Sequence, residues 1–126
     1  AKAARERAYA PYSRFLVGAA IRAPSGAIYV GCNVENVSFG AALCAERAAV
    51  CAAVAAGERS YTALAVTAGG SHVTPCGICR QVLSEFSRDG KLVVICGTDG
   101  GYKTFELETL LPEAFAQFEP EVKKSE

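Results

Sequence analysis

Residues 61–96 read YTALAVTAGGSHVTPCGICRQVLSEFSRDGKLVVIC, a stretch that begins and ends with short apolar segments. The segments 61–67 and 92–96 are rich in apolar and β-branched residues and have the length of strands, so each predicts a buried strand. Between them, the Thr74-Pro75 pair offers an N-cap followed by proline at the first helical position, which predicts a helix through about Phe86. The order strand, helix, strand predicts a parallel crossover.

The rest of the chain extends this pattern on both sides. In chain order, the other predicted elements are a helix over 1–10, strands over 17–23 and 28–33 joined by a hairpin turn at 24–26, a helix over 43–56, a strand over 102–106 and a short helix over 109–115. This order predicts the α/β class, as a three-layer α/β/α arrangement whose mixed five-stranded sheet carries helices on both faces. Residues 1–126 are expected to form a single domain, and the polar tail from about residue 119 is predicted to be frayed.

The composition limits the possible partners. Hydrophobic residues make up 51% of the chain and the formal net charge is +0, so the chain is expected to be globular and to lack the positive field that attracts nucleic acids or membrane surfaces. No apolar run approaches the roughly 20 residues that span a bilayer. Six cysteines are too few for a disulfide scaffold of this length, which favours reduced thiols and a cytoplasmic protein. A small-molecule partner is therefore expected.

Three cysteines carry the strongest chemical signal. Cys76 and Cys79 are spaced i, i+3 in the first turn of a predicted helix, so they face the same side and can chelate a metal or form a redox disulfide. Cys44 opens the other long helix, and helix N-termini lower thiol pKa values. Three thiolates supply three corners of a zinc tetrahedron, and catalytic zinc sites keep the fourth corner for water.

The other candidate ligands are expected to stay out of this cluster. Cys51 lies seven residues beyond Cys44, about 10.5 Å along a helix. Cys51, Cys32 and Cys96 are predicted to be buried structural thiols. His72, the one histidine, lies in a Gly/Ser loop and is expected to be exposed. The fourth zinc position is thus left for water.

The two residues after Cys44-Ala45 complete the predicted centre. Glu46 is two residues from Cys44, roughly 200° around a helix, which places it beside the metal and not on it. A carboxylate there can take a proton from water and deliver it elsewhere. Arg47 is predicted to offset the local charge of about −1 that three thiolates leave on Zn²⁺.

These motifs resemble a known family. Cys44-Ala45-Glu46 followed by Pro75-Cys76-Gly77-Ile78-Cys79 is similar to the zinc-dependent nucleoside and nucleobase deaminase signature. Cysteine ahead of the glutamate resembles the three-cysteine class, the small homotetrameric cytidine deaminases. Further segments resemble that class in the same order, at residues 11–20, 31–36, 79–82 and 110–115.

The resemblance implies an activity and its cofactor. Zinc, one ion per subunit on Cys44, Cys76 and Cys79, would activate water for attack on C4 of cytosine, and Glu46 would move the protons. Cytidine and deoxycytidine would become uridine and deoxyuridine with release of ammonia, as in pyrimidine salvage. Asn33 and Glu35 would hold the ribose hydroxyls.

The resemblance also implies contacts to the base. Phe15 would flank the substrate and the Ala45 backbone would contact the base. In a homotetramer with shared sites, Phe115 would cover the pyrimidine ring of a neighbouring subunit's site. Many relatives carry Tyr where this chain has Phe39, so a hydroxyl contact from an adjacent subunit is expected to be absent.

Three alternatives remain open from the residues alone. Another free base or nucleoside analogue could be the deamination substrate, although editing of polynucleotides is disfavoured by the zero net charge. The pair Cys76 and Cys79 could be a redox dithiol, which leaves Cys44 and Glu46 unexplained. A zinc-stabilised interaction module would need a fourth protein ligand.

Overall fold

The computed structural model describes residues 1–87, 89 and 91–116, and these contain one five-stranded sheet. Its strands are β1 (Gly18–Arg22), β2 (Ile28–Cys32), β3 (Ala63–Thr67), β4 (Val93–Thr98) and β5 (Gly101–Glu106). They lie in the order β2-β1-β3-β4-β5. The β3–β4 pair is parallel and the other three pairs are antiparallel. The predicted mixed sheet and its parallel crossover are therefore confirmed.

Four α-helices belong to the described part of the chain: α1 (Lys2–Arg5), α2 (Ala45–Ala55), α3 (Gly77–Glu85) and α4 (Leu107–Leu110). A 3₁₀ turn covers Phe39–Ala41. Helix α2 connects β2 to β3 and helix α3 connects β3 to β4. Both helices thus begin in the connections that follow a strand, which is where ligand sites gather in sheets of this kind.

Two glycines show that helices cover both faces of the sheet. Gly18 and Gly31 lie on adjacent strands one register position apart, so their side-chain directions point to opposite faces. A Cβ on Gly18 would meet the backbone of α1, 2.6 Å from the Arg5 nitrogen. A Cβ on Gly31 would meet the backbone of α2, 2.6 Å from the Ala45 carbonyl oxygen. The sheet therefore lies between α1 and α2, as the sequence predicts.

The main core lies on the α2 side of the sheet. Ile21, Leu64 and Val94 alternate with more exposed neighbours along their strands and are fully buried. Ala49 of α2 and Leu83 of α3 pack into the same cluster. The small side chains of α2 allow the helix to approach the sheet at Gly31, which fixes the position of its first residues.

Three predicted helix boundaries are wrong. The sequence predicts the first helix over 1–10, but the helix ends at Arg5. Tyr9 instead pairs with the residues that follow β2, because its N–H donates to the Asn33 carbonyl and its carbonyl accepts from the Glu35 N–H. The last helix was expected over 109–115 but covers Leu107–Leu110. Proline at position 112 disfavours helical geometry in the residue before it, so the helix cannot continue through it.

The start of α3 is the third difference. Thr74 was expected to cap the helix with Pro75 at the first helical position, but Cys76 is the N-cap and has extended backbone angles (φ −66°, ψ 167°). The Arg80 side chain instead uses both predicted positions as hydrogen-bond acceptors, the Thr74 hydroxyl and the Pro75 carbonyl. The helix therefore begins at Gly77.

Three further sequence expectations concern the hairpin turn, the C-terminal tail and membrane-spanning segments. Gly26, at φ +90°, closes the predicted hairpin turn between β1 and β2. The tail from residue 119, predicted to be frayed, lies outside the described residues. No helix in the described ranges is long and apolar enough to cross a membrane.

Candidate active site

The thiols of Cys44, Cys76 and Cys79 meet at the adjacent N-terminal ends of α2 and α3. Cys44 and Cys76 are the N-caps of the two helices, and Cys79 lies one turn further along α3. The Cys44 and Cys76 sulfur atoms are 3.8 Å apart, and the Cys76 and Cys79 sulfur atoms 3.4 Å apart. All three sulfurs lie within 4.8 Å of one another.

This geometry fits zinc. Zn–S bonds of about 2.3 Å at tetrahedral angles separate sulfur atoms by about 3.8 Å. The observed separations are close to that value, so one ion can bind all three thiolates after small adjustments. In the described part of the chain the metal-capable group contains these three side chains and no fourth, which leaves one corner of the tetrahedron open. Catalytic zinc sites have this arrangement, whereas structural sites are closed by four protein ligands.

Arg47 lies against the thiol cluster. Its Nη2 donates to the Cys44 sulfur at 3.4 Å, and its Nε is buried without a hydrogen-bond partner among the described residues. A buried guanidinium donor costs free energy unless an acceptor faces it. Three thiolates on Zn²⁺ carry a net negative charge, so the arginine is positioned to offset it.

The thiol pKa values describe the metal-free cluster. The pKa of Cys44 is lowered to about 5, first by the hydrogen bond from Cys79 and then by Arg47. Hydrogen bonding to Cys44 and burial raise the pKa of the Cys79 thiol. Cys44 is thus the thiol of the cluster that most readily ionises, and metal binding would favour the thiolate form of all three.

Glu46 lies beside the cluster in the first turn of α2. Its side chain is only 5% exposed, and burial, followed by the charge of Cys44, raises its pKa to about 7. The predicted separation of 200° from Cys44 does not apply, because Cys44 is an N-cap with extended backbone and not a helical residue. As a result, both side chains line the same cavity.

That cavity is lined by several of the residues predicted to form the site. Its volume is about 240 Å³, and its lining contains Phe15, Asn33, Cys44, Ala45, Glu46 and Cys76. Val73 and Thr74, from the loop before α3, complete one wall together with Val17 and Val66. The chain thus brings two of the three thiols, a carboxyl group, an amide and an aromatic ring around one small space.

Other predicted site residues lie elsewhere in the same chain. Glu35 and Phe39 line a separate cavity with Tyr12 and Ser13. Phe115 lies in a groove along α3 and α4, where its carbonyl accepts a hydrogen bond from the Gln81 amide at 2.8 Å. The chain therefore does not bring Glu35, Phe39 or Phe115 into the cavity that contains the thiols.

Asn33 and Glu35 each hold the loop before β1. The Asn33 amide donates to the Phe15 carbonyl at 2.8 Å and accepts from the Val17 N–H at 2.9 Å. Glu35 accepts hydrogen bonds from the N–H groups of Tyr12 and Ser13 and from the Ser13 hydroxyl. The two residues predicted to contact the sugar thus also hold the segment that contains Phe15.

Two polar residues of this region were missed in the sequence. Ser13 follows a proline by two residues, and turn serines of this kind often bond to nearby backbone, which is the signal that could have identified it. Arg80 donates to the Pro75 carbonyl, the Thr74 hydroxyl and the Leu110 carbonyl. In a single sequence nothing separates such an arginine from a solvated one.

The remaining cysteines and the histidine lie outside the cluster. His72 is exposed and is not part of the metal-capable group, as expected. Cys96 is buried and Cys32 is partly buried. Cys51 was predicted to be buried, but it is exposed, because it lies on the face of α2 that points away from the sheet.

Comparison with known proteins identifies the class. Residues 1–96 match the family model of the cytidine and deoxycytidylate deaminase zinc-binding region. The chain belongs to this family of zinc-binding deaminases. The zinc expected from the three thiols is thus the cofactor of the family, and the thiol group is positioned to bind one ion.

Individual relatives are similar over nearly the whole chain. The cytidine deaminase of Sporosarcina psychrophila is 47% identical over 117 residues, covering 92% of this chain and 86% of the relative. That of Mycobacterium tuberculosis is 49% identical over 109 residues, 86% of this chain and 78% of the relative. The crystal structure of a cytidine deaminase from Burkholderia pseudomallei has a TM-score of 0.86 at 46% identity, covering 91% of this chain and 93% of that one. The predicted fold class is therefore confirmed.

Proposed function

We propose that this chain catalyses the zinc-dependent hydrolytic deamination of cytidine and deoxycytidine to uridine and deoxyuridine, with release of ammonia. The observation that carries the proposal is the buried carboxyl group of Glu46 beside three thiols that leave one metal position open. Relatives at 47% and 49% identity bear the name cytidine deaminase, which supports the same substrate here.

Glu46 would carry the protons of the reaction. Zinc bound to Cys44, Cys76 and Cys79 supplies Lewis-acid activation of a water molecule. The Glu46 carboxyl group would take one proton from the attacking water and pass it to N3 as the oxygen bonds to C4. It would then move the proton of the new C4 hydroxyl to the exocyclic nitrogen, so that C4=O forms, the C4–N4 bond breaks and ammonia leaves. Burial raises the pKa of this carboxyl group, which favours its taking up a proton during the reaction.

The polar residues around the cavity would orient the nucleoside. The main chain of Ala45 would contact the base, and Phe15 would flank it from the opposite wall. Asn33 would hold a ribose hydroxyl with the hydrogen-bonding capacity that remains beyond its two backbone contacts. Glu35 would hold the other hydroxyl from the adjacent cavity, once a nucleoside spans both.

A homotetramer with shared sites is part of the proposal. The cavity, at about 240 Å³, is smaller than the roughly 300–1,000 Å³ typical of small-molecule sites, which supports a site that a neighbouring chain completes. Large apolar side chains are exposed, among them Tyr9, Tyr12, Val34, Val37 and Phe39. Tyr12 and Phe39 line the cavity that contains Glu35. Exposed apolar patches of this kind favour association. Phe115 and Phe39 would then act in a neighbour's site.

The thiol chemistry supports a cytoplasmic location. All six cysteines are free, and Cys51 and Cys76 are exposed. Free and metal-binding thiols persist in reducing compartments, which supports a cytoplasmic protein.

The activity is tested by ultraviolet absorbance of cytidine mixed with purified, zinc-loaded protein. Wild type should convert cytidine to uridine. Glu46→Gln should keep its zinc and lose turnover by about 10²-fold or more, because the proton carrier is gone. Glu85→Gln, an exposed glutamate on α3, is the matched control and should retain activity. Full turnover by Glu46→Gln would contradict the mechanism, and no turnover by zinc-loaded wild type would contradict the substrate.

The assembly is tested by light scattering coupled to size-exclusion chromatography. A mass of four chains is expected for the wild type. Mixing Glu46→Gln with Phe115→Ala protein after reversible dissociation should restore part of the lost activity, because a mixed tetramer contains sites with both intact groups. A monomer that is fully active would overturn this part of the proposal.

A further inference from the structure

The Ser13 side chain bonds to two parts of the candidate site at once. Its hydroxyl donates to Oε2 of Glu35, and its oxygen accepts the N–H of Phe15 at 3.0 Å. Its own N–H, together with that of Tyr12, donates to Oε1 of Glu35 at 3.0–3.1 Å. Ser13 itself lines the cavity that contains Glu35 and touches neither the thiols nor Glu46.

These bonds leave Glu35 little rotational freedom. A carboxylate has about four lone-pair positions, and three are used here, two on Oε1 and one on Oε2. The remaining position is on Oε2, the oxygen that Ser13 holds. The same bonds lower the pKa of Glu35, and the hydrogen bond from the Ser13 hydroxyl is the first cause. A hydroxyl ligand approaching Glu35 thus meets a single acceptor with a fixed direction.

Ser13 and Asn33 hold Phe15 from opposite sides of its backbone. The Phe15 N–H donates to Ser13, and the Phe15 carbonyl accepts from Asn33. Between Ser13 and Phe15, Arg14 has a left-handed backbone at φ 59°, a conformation that costs free energy for a residue other than glycine. The hydrogen bond across Arg14 stabilises that turn, while the bond from Asn33 holds the Phe15 backbone independently of Ser13.

We infer that Ser13 is a positioning residue for the sugar of the substrate, which acts by orienting Glu35 and touches no reacting atom. The inference rests on the proposed function, because it takes Glu35 as the ligand of a sugar hydroxyl. It predicts that the contribution of Ser13 to binding depends on the sugar hydroxyls being present. A serine that only stabilised the fold would affect all ligands alike.

The test compares ligands with and without those hydroxyls. For wild type, Ser13→Ala and Ser13→Thr, we would measure kcat and KM for cytidine and the competitive inhibition constants of uridine and 2′,3′-dideoxyuridine. Ser13→Ala should raise KM and the uridine inhibition constant about tenfold, the size expected from loss of one hydrogen bond to a charged group. The value of kcat and the dideoxyuridine constant should change by less than about twofold. Ser13→Thr keeps the hydroxyl and should restore uridine binding.

The chain offers a matched control at Ser25. Its hydroxyl also donates to a glutamate, Glu58 at 3.0 Å, and also accepts an N–H two residues ahead, that of Ala27. This second serine lies in the β1–β2 turn and lines no part of the candidate site. Ser25→Ala should therefore leave every binding constant unchanged. Thermal melting of both variants measures any common loss of stability.

Two results would overturn the inference. One is an equal loss of uridine and dideoxyuridine binding in Ser13→Ala, which indicates a general effect on the fold. The other is unchanged uridine binding in that variant. Failure of the proposed function gives a different result, since wild type itself would then not convert cytidine.

Discussion

Cys44 and Cys76 are the N-caps of two different helices, and their sulfur atoms are 3.8 Å apart. Each residue has extended backbone angles, so its side chain turns back across the start of its own helix. Both helices direct their partial positive charge towards the sulfurs, which favours thiolates. The metal position is thus determined by the packing of α2 and α3 in one layer, and the chemistry of the site depends on where these helices begin.

Cys76→Ser tests zinc binding separately from the formation of α3. Serine is among the preferred N-cap residues, so α3 should form as before, while the soft thiolate ligand is lost. We expect the zinc content to fall from about one ion per chain to well below half, with the fold retained. Elemental analysis after dialysis and circular dichroism measure the two properties.

The control for this change is Cys51→Ser, which alters an exposed thiol on α2 outside the cluster. It should bind as much zinc as wild type. Stoichiometric zinc in Cys76→Ser after dialysis would show that the three thiols do not form the metal centre.

Glu46→Gln should change how the stability of the zinc-free protein depends on pH. Burial raises the pKa of Glu46 from 4.5 to about 7, so the folded state binds a proton between these values that the unfolded state releases. The free energy of unfolding of wild type therefore falls as pH rises from 4.5 to 7. Glutamine resembles the protonated form of Glu46, so the free energy of unfolding of Glu46→Gln should not show this fall.

The size of the expected stability difference follows from the pKa shift of Glu46. A difference of about 2.5 pKa units corresponds to about 3 kcal/mol, so Glu46→Gln should be more stable than wild type by about that amount at pH 8 and by little at pH 4.5. Urea denaturation with chelator and reductant, at both pH values, measures the difference. Equal stability at pH 8 would show that Glu46 is not destabilised by burial.

The sequence predicts most of the fold because its periodicity and punctuation are local. The strands, the crossover and the glycine turn at Gly26 follow from short patterns, and each is present. The helix starts do not follow in the same way. Thr74 has the better capping chemistry, yet the helix begins after Cys76, because the Arg80 side chain occupies the Thr74 hydroxyl from a turn further along. That contact exists only once α3 has formed.

The site is partly predictable for the same reason. Residue type and spacing indicate three thiols and a neighbouring carboxyl group, and the folded chain brings the thiols together beside a cavity that Cys44, Cys76 and Glu46 line. Sequence does not reveal that Glu35 faces a different cavity from Asn33, two residues away, since this depends on the path of the chain after β2. Nor does it reveal the exposure of Cys51, which depends on which face of α2 packs against the sheet.

Gly31→Ala tests the approach of α2 to the sheet. A Cβ at this position would lie 2.6 Å from the Ala45 carbonyl oxygen and closer still to the Ala49 nitrogen. These are backbone atoms of a packed helix and cannot move aside cheaply, so we expect a loss of about 3 kcal/mol in unfolding free energy. Because Cys44 and Glu46 lie at the start of this helix, zinc affinity should fall as well.

Gly100→Ala is the matched control, because a Cβ at Gly100 would meet no atom within 4 Å and the residue is not in the left-handed region. Its stability should stay within about 0.5 kcal/mol of wild type. Denaturant titration of the two variants makes the comparison. A Gly31→Ala protein as stable as Gly100→Ala would show that α2 does not pack closely on β2.

Arg80→Lys tests whether one guanidinium holds the wall of the zinc cavity. Its three donors reach the Pro75 carbonyl at 2.7 Å, the Leu110 carbonyl at 2.8 Å and the Thr74 hydroxyl at 3.0 Å. A lysine keeps the positive charge but cannot donate to acceptors in these three directions. The variant therefore tests the geometry of the guanidinium separately from its charge. We expect Arg80→Lys to lose about 2 kcal/mol of stability and to bind zinc more weakly, because the segment before Cys76 is no longer held against α4.

Arg59→Ala is the control, because it removes another arginine that bonds backbone carbonyls, those of Val54 and Glu58 at the end of α2. It should leave zinc affinity unchanged. Competition with a chelating dye measures the affinity, and wild-type affinity in Arg80→Lys would show that charge alone is sufficient at this position.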